Sequence, residues 1–239
     1  MKKINRLIAL LGIAILAVSM TACSSGPQTT ESRAVSGINA VSISTFGEFI
    51  IRQGNDESLT IEAPSDYLRY IDTKVEDGVL HIDARRGFIP GPARKVLFTL
   101  TVKNLNGLYM SGAGKIEVLG NVTSDNFTLN LTGAGSVEID SLNANNLTVN
   151  FSSAGAMVVA GNVDNQSVNL SGVGSYEAGD LQSKHTSLNL SGAGSATVWA
   201  VESLDVNISG VGSLGYYGSP RITQNITGLG SVNSKGAHR

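Results

Sequence analysis

The sequence predicts an all-β solenoid, a stack of short coils, on two observations. The first is a glycine motif that returns seven times: SGAGKIEV at 111, TGAGSVEI at 132, SSAGAMVV at 152, SGVGSYEA at 171, SGAGSATV at 191, SGVGSLGY at 209 and TGLGSVNS at 227. The starts lie 21, 20, 19, 20, 18 and 18 residues apart, and a fixed period of this size marks a repeat architecture. The second is period-two alternation on both sides of the glycines. Ile116 and Val118, Val137 and Ile139, Met157 and Val159, and Tyr176 and Ala178 follow the motif. Phe127, Leu129 and Leu131, then Leu147, Val149 and Phe151, lead into the next copies. Such alternation belongs to strands with one buried face, and no window carries the 3.6-residue period of a helix. One pair of strands cannot bury that face alone, whereas stacked coils can.

In chain order, residues 1–22 read as a lipoprotein signal peptide. Lys2, Lys3 and Arg6 form a positive start, and the apolar run Leu7 to Val18 suits a secretory core but is too short to span a membrane. SMTACSS then places Thr21 and Ala22 before Cys23, a bacterial lipobox with Met20 at its first position. Cys23 is the only cysteine of the chain, so no disulfide forms within it, and lipidation is its expected fate. A chain starting there loses three positive charges, leaving 14 Lys plus Arg against 19 Asp plus Glu, a net of −5. That charge gives no reason to seek nucleic acid or anionic headgroups. The expected membrane contact is the N-terminal lipid. Ser24 lacks the aspartate that retains lipoproteins at an inner membrane, so the outer membrane is expected if the cell is Gram-negative. Residues 23–36 are the lipidated cysteine and a polar segment read as a flexible tether. One domain, 37–236, follows: irregular opening coils over 37–110, whose longest loop is RRGFIPGPARK (85–95), then seven regular repeats over 111–236.

Within the repeats, Gly112 and Gly114, Gly133 and Gly135, Gly172 and Gly174, Gly192 and Gly194, Gly210 and Gly212, and Gly228 and Gly230 are expected to turn the chain between sheets, where glycine reaches positive φ without penalty. A phosphate-cradling loop would need a helix after the glycines, and no helix is predicted after any copy. Three positions before the first glycine stand Asn130, Asn150, Asn169, Asn189, Asn207 and Asn225, on the face opposite the apolar residues. Asparagine is a poor strand former, so a column of six points to a hydrogen-bonded side-chain ladder along the stack, with a row of ligand contacts as the alternative. Several of these asparagines fall in glycosylation sequons, a match that follows from the repeat and carries no weight in a bacterial cell.

An Asn-bearing strand, then SGAGS, then a second strand, behind a less regular β-rich half, resembles the auto-transporter adhesin "head GIN" domain family over roughly residues 37–236. The resemblance implies a right-handed parallel β-helix and a role in adhesion, and it implies no catalytic residue. Periodicity alone also allows a β-prism or an antiparallel meander.

Chemistry is sparse. His81, His185 and His238 lie far apart without metal-ligand spacing, and no cofactor or metal is expected. Glu117, Glu138 and Glu177 share a column, read as a solvated face or as a place for Ca²⁺. DARR (83–86) with Arg94 and Lys95 is the one basic patch that a lyase on this fold could use. Catalysis needs acids and a base converging on one groove, whereas here Ser, Thr and Asn are spread along the stack. The reading is a lipid-anchored, non-enzymatic envelope module for a surface glycan or protein ligand. The alternative is a polysaccharide lyase or hydrolase. The sequence leaves the oligomeric state open, a trimer included.

Overall fold

The computed structural model describes residues 26–85 and 95–238, so residues 1–22, Cys23 and most of the loop 85–95 lie outside the described residues. The N-terminal half runs β1 (Gln28–Arg33), β2 (Ala40–Ser44), β3 (Phe46–Gln53), β4 (Ser58–Pro64), a one-turn helix α1 (Ser65–Leu68), β5 (Ile71–Glu76), β6 (Val79–Ala84), β7 (Leu97–Val102) and β8 (Gly107–Met110). The expected tether is therefore shorter than its composition suggests. β1 pairs antiparallel with β4 at the edge of the sheet, and an edge strand exposed on its outer side needs no apolar row. Arg33 anchors it, donating to the carbonyl oxygens of Ile71 and Leu68 and to Glu31.

Residues 37–110 do not stack in sequence order. β2 and β3 make one coil, bent at Thr45. That coil lies between β6–β7 on one side and β8 with the start of the next strand on the other, all parallel. β5 pairs antiparallel with β6, and β4 with β7, which caps this end of the stack. The β2–β3 coil also carries an unexpected copy of the glycine motif. Phe46 pairs with Ala113 and Gly47 with Gly114, so STFGEF is the motif with Thr45 in the first glycine slot.

The regular half follows as β9 (Ala113–Leu131), β10 (Ala134–Phe151), β11 (Ala154–Leu170), β12 (Val173–Leu190) and β13 (Ala193–Ile208), each parallel to the next. This is a parallel β-solenoid, which excludes the prism and the meander. The two strands expected in each coil are one continuous strand. The polar bend between them pairs with the bend of the next coil, and irregularity is confined to a register shift there, as between Ile139 and Ser141. Later the strand divides into β14 (Val211–Tyr217) and β15 (Arg221–Ile226), where Pro220 offers no N–H to the ladder, and β16 (Leu229–Gly236) ends the stack.

The inward columns are fully buried, from Ile116, Val137 and Met157 to Leu131, Leu190 and Ile208. Each such side chain contributes ~1.5–3 kcal/mol by leaving water. Phe49 and Phe98 stack at 4.4 Å in the N-terminal coils. One inward patch is polar. Gln166 occupies the column of Phe127 and Leu147, and its amide donates to the Tyr176 hydroxyl while accepting from Thr186. Ser183 joins Thr186 and donates to the Trp199 carbonyl, so these buried groups are all bonded. Burial pushes the Tyr176 phenol far above its usual pKa.

The glycines act mainly through closeness. At Gly192 the backbone is not left-handed, yet a Cβ there would lie 2.1 Å from the Gly172 oxygen of the coil below. Gly135 combines both reasons, with φ of 150° and a Cβ position 1.9 Å from the Gly114 oxygen. Ser153 tests the rule, because it fills the first slot with a real Cβ. In other copies the first-slot N–H and the next N–H bond the coil below, as Gly172 does to Phe151 at 3.2 Å and Val173 to Ser153 at 2.8 Å. Around Ser153 only Ser152 bonds down, to Leu131 at 3.0 Å. Its hydroxyl is buried without a partner, as is that of Thr45 in the same slot.

Candidate functional site

Two polar surfaces run along the stack. The predicted asparagine column is in register throughout: Asn130 pairs with Asn150, Asn150 with Asn169, Asn169 with Asn189, Asn189 with Asn207 and Asn207 with Asn225. Its amides bond in two separate runs. Asn169 donates to Asn150 at 3.1 Å, while Asn207 donates to Asn189 at 3.0 Å and Asn225 to Asn207 at 3.2 Å. Among the described residues no amide bond joins Asn130 to Asn150 or Asn169 to Asn189. A continuous ladder is thus replaced by two bonded runs, with breaks after Asn130 and after Asn169.

The second surface lies at the polar bends, and sequence reasoning missed it. Asn146 donates to Asn126 and Asn165 to Asn146, both at 2.9 Å. His185 continues that column and meets Ser203 at 3.0 Å through Nδ1. Beside it runs a row in register: Thr123, Asn143, Asn162 and Gln182, with Trp199 next. Asn162 reaches Asn143 at 3.5 Å, and Asn143 donates to Asn121 in turn. The signal was present in the spacing. Counted back from the following motif, Thr123, Asn143, Asn162 and Gln182 share one offset, and Asn126, Asn146 and Asn165 share another.

Between this row and Asp125, Asn145, Asp164 and Lys184 lies a groove of about 540 Å³ with Ala144, Val163 and Val201 along its floor. Lys184 pairs with Asp164 at 2.6 Å, and Asn145 donates to Asp125 at 3.2 Å. The Asp164 carboxylate beside Lys184 raises its ammonium above the usual lysine pKa. Past the groove, the C-terminal tail lies over the Trp199 ring. His238 stacks on that indole at 4.0 Å and 3° and bonds Asp180 at 3.0 Å.

The other candidates are tied up locally. Glu117 and Glu138 are in register, and the Lys115 ammonium bonds Glu117 and lies 3.4 Å from Glu138, so a cation of the chain itself balances the pair. Glu177 is separated from them by Val158. In the basic patch, Arg85 forms a two-pronged pair with Asp72, and Lys95 pairs with Glu48 at 2.8 Å; Arg86 and Arg94 lie outside the described residues. Among the described residues, no three His, Cys, Asp or Glu side chains gather at metal-binding distance.

A solenoid with this glycine register and asparagine column matches the family described as "Putative auto-transporter adhesin, head GIN domain" over residues 38–220. The chain belongs to that family. The match takes in every head GIN coil up to β14 and every ladder asparagine except Asn225. A solved structure from Bacteroides fragilis NCTC 9343 described as a "putative adhesin" is 28% identical, with a TM-score of 0.85 over 87% of this chain and 97% of that one. A "putative adhesin" from Parabacteroides distasonis ATCC 8503, 20% identical with a TM-score of 0.67 over 87% of this chain and 97% of that one, shares the fold. A "putative lipid binding protein" from the same organism is 25% identical, with a TM-score of 0.63 over 87% of this chain and 97% of that one. No curated protein matches the chain.

Proposed function

We propose that this chain is a non-enzymatic, adhesin-like binding module of the bacterial cell envelope, held at the membrane by a lipid on Cys23. The observation that carries the reading is the polar bend surface. A row of polar side chains lies along an open groove, while Lys115 with Glu117 and Glu138, Arg85 with Asp72, and Lys95 with Glu48 are held in ion pairs. Such a surface recognises a partner by shape and hydrogen bonding, and it gathers no acid and base on one reacting atom. Membership of the head GIN family supports envelope exposure. The lipobox supports the anchor, and Ser24 the outer membrane in a Gram-negative cell.

Bacterial cells producing the chain, cells lacking it and cells producing Cys23→Ser would be compared for retention on immobilised host glycoproteins and on other bacterial cells. Wild-type cells should be retained, and the other two should not. Cys23→Ser should leave the detergent-phase fraction and take up no labelled palmitate. Equal retention of all three strains would refute the binding role, and unchanged partitioning would refute the anchor.

A further inference from the structure

We infer that the groove at the bends binds a neutral, linear glycan lying along the solenoid axis. The inference rests on the binding-module reading above and names its ligand class. The row Thr123, Asn143, Asn162 and Gln182 presents one polar side chain per coil, so hydrogen-bonding groups repeat along the groove at ~4.8 Å, the spacing of neighbouring strands. From the coil of Thr123 to that of Glu202 the groove spans ~19 Å. A ligand that uses it must therefore be extended and must repeat its own polar groups. Three features then choose among polymers.

First, the backbone here is already paired from coil to coil. An extended peptide would find no free edge to add a strand to, and only side chains remain to bind with. Amides suit hydroxyls, because each offers both donors and an acceptor. Second, the rim carries Asp125, Asp164 and Glu202 against the single cation Lys184, itself bound to Asp164. That excess of negative charge repels polyuronates, nucleic acid and anionic headgroups. Third, between the polar rows the groove is lined by Ala144, Val163 and the exposed Val201, with Ser124 at one end, a mainly apolar strip that matches the C–H faces a sugar chain shows between its hydroxyls.

The test is calorimetric titration of the full chain in detergent with cellohexaose, xylohexaose, mannohexaose and chitohexaose, and with a galacturonate hexamer as the anionic control. At least one neutral oligosaccharide should bind saturably and the galacturonate should not. Asn162→Asp keeps the side-chain shape while removing its donor and adding charge, and it should weaken binding about tenfold or more when titrated well below its own melting temperature. Asn207→Ala, on the other surface, should bind as wild type. Failure of all four neutral glycans, preference for the anionic one, capture of an extended peptide in the groove, or indifference to Asn162→Asp would each overturn the inference. The cell assay separates this from the broader reading. Retained adhesion without glycan binding sinks the glycan alone, and glycan binding without adhesion sinks the envelope role alone.

Discussion

Replacing Ser153 by glycine should stabilise this protein. Ser153 stands where other copies of the motif have glycine, and its coil lacks two downward backbone hydrogen bonds that they make. Its hydroxyl is buried without a partner at 6% exposure. Restoring two bonds at ~0.5–1.5 kcal/mol each and removing an unsatisfied hydroxyl worth ~1–3 kcal/mol favours the variant. Glycine's extra freedom in the unfolded chain opposes it by ~0.5–1 kcal/mol. The net is ~1–5 kcal/mol of added stability, at roughly 2–4 °C of melting temperature per kcal/mol for a domain of this size. Ser153→Ala is the decisive companion. It removes the hydroxyl but keeps the Cβ, so it should recover only the hydroxyl's ~1–3 kcal/mol and none of the backbone bonds. Thermal and urea melts of the three proteins would decide the matter. A glycine variant no more stable than wild type, or alanine equal to glycine, would refute the argument that closeness of the coils excludes a side chain.

The broken asparagine ladder predicts unequal costs: Asn207→Ala removes two amide bonds and should cost ~1–2 kcal/mol in a denaturant melt, while Asn169→Ala removes one and should cost about half as much. Asn189→Ala with Asn207→Ala should be non-additive because they share a bond, whereas Asn169→Ala with Asn189→Ala should add. Gly192→Val and Gly194→Val should both destabilise by ~1–3 kcal/mol, because a Cβ meets a carbonyl of the coil below at 2.1 and 2.2 Å. Glu57 accepts hydrogen bonds from the Ile38 and Gly37 amides at 2.7 and 2.8 Å, which hold its pKa below the usual glutamate value. Its stabilisation is therefore present above about pH 4.3 and lost as the pH falls through the lowered folded value, and urea midpoints of Glu57→Gln should show a shallower acid decline.

What the sequence makes legible is whatever repeats locally. The glycine interval, the inward run Phe127, Leu129 and Leu131, and the register of Asn150 over Asn130 all follow from one period, and all appear in the solenoid. β1 is illegible because Gln28–Arg33 is polar on both sides, as an edge strand can be. Thr45 and Phe46 hide the motif around Gly47, and its start at Ser44 lies 67 residues before Ser111, far outside the repeat interval. Gln166 looks like another surface amide until its alignment with Leu147 places it inside. The bend groove was obscured because the coils differ in length before the bend and agree after it, so counting forward from each glycine scatters its row. The placement of β2–β3 between later coils depends on pairings between residues 39 or more positions apart, such as Ile51 with Val118, and no local pattern encodes those.

That placement has a consequence for how the chain grows, in the ribosome's time and in evolution's. A chain emerging N-terminus first makes β2 and β3 early, but both edges of that coil stay bare until β6–β7 and then β8–β9 have been synthesised. The first stable unit must therefore reach to about residue 131, and every later coil can settle on a finished neighbour, one at a time. Duplication obeys the same constraint. A copied coil can be slipped in anywhere after Leu131 without disturbing an existing pair elsewhere, whereas one inserted before it would separate strands that interlock out of order. Relatives of different length should accordingly differ in the number of coils on the C-terminal side.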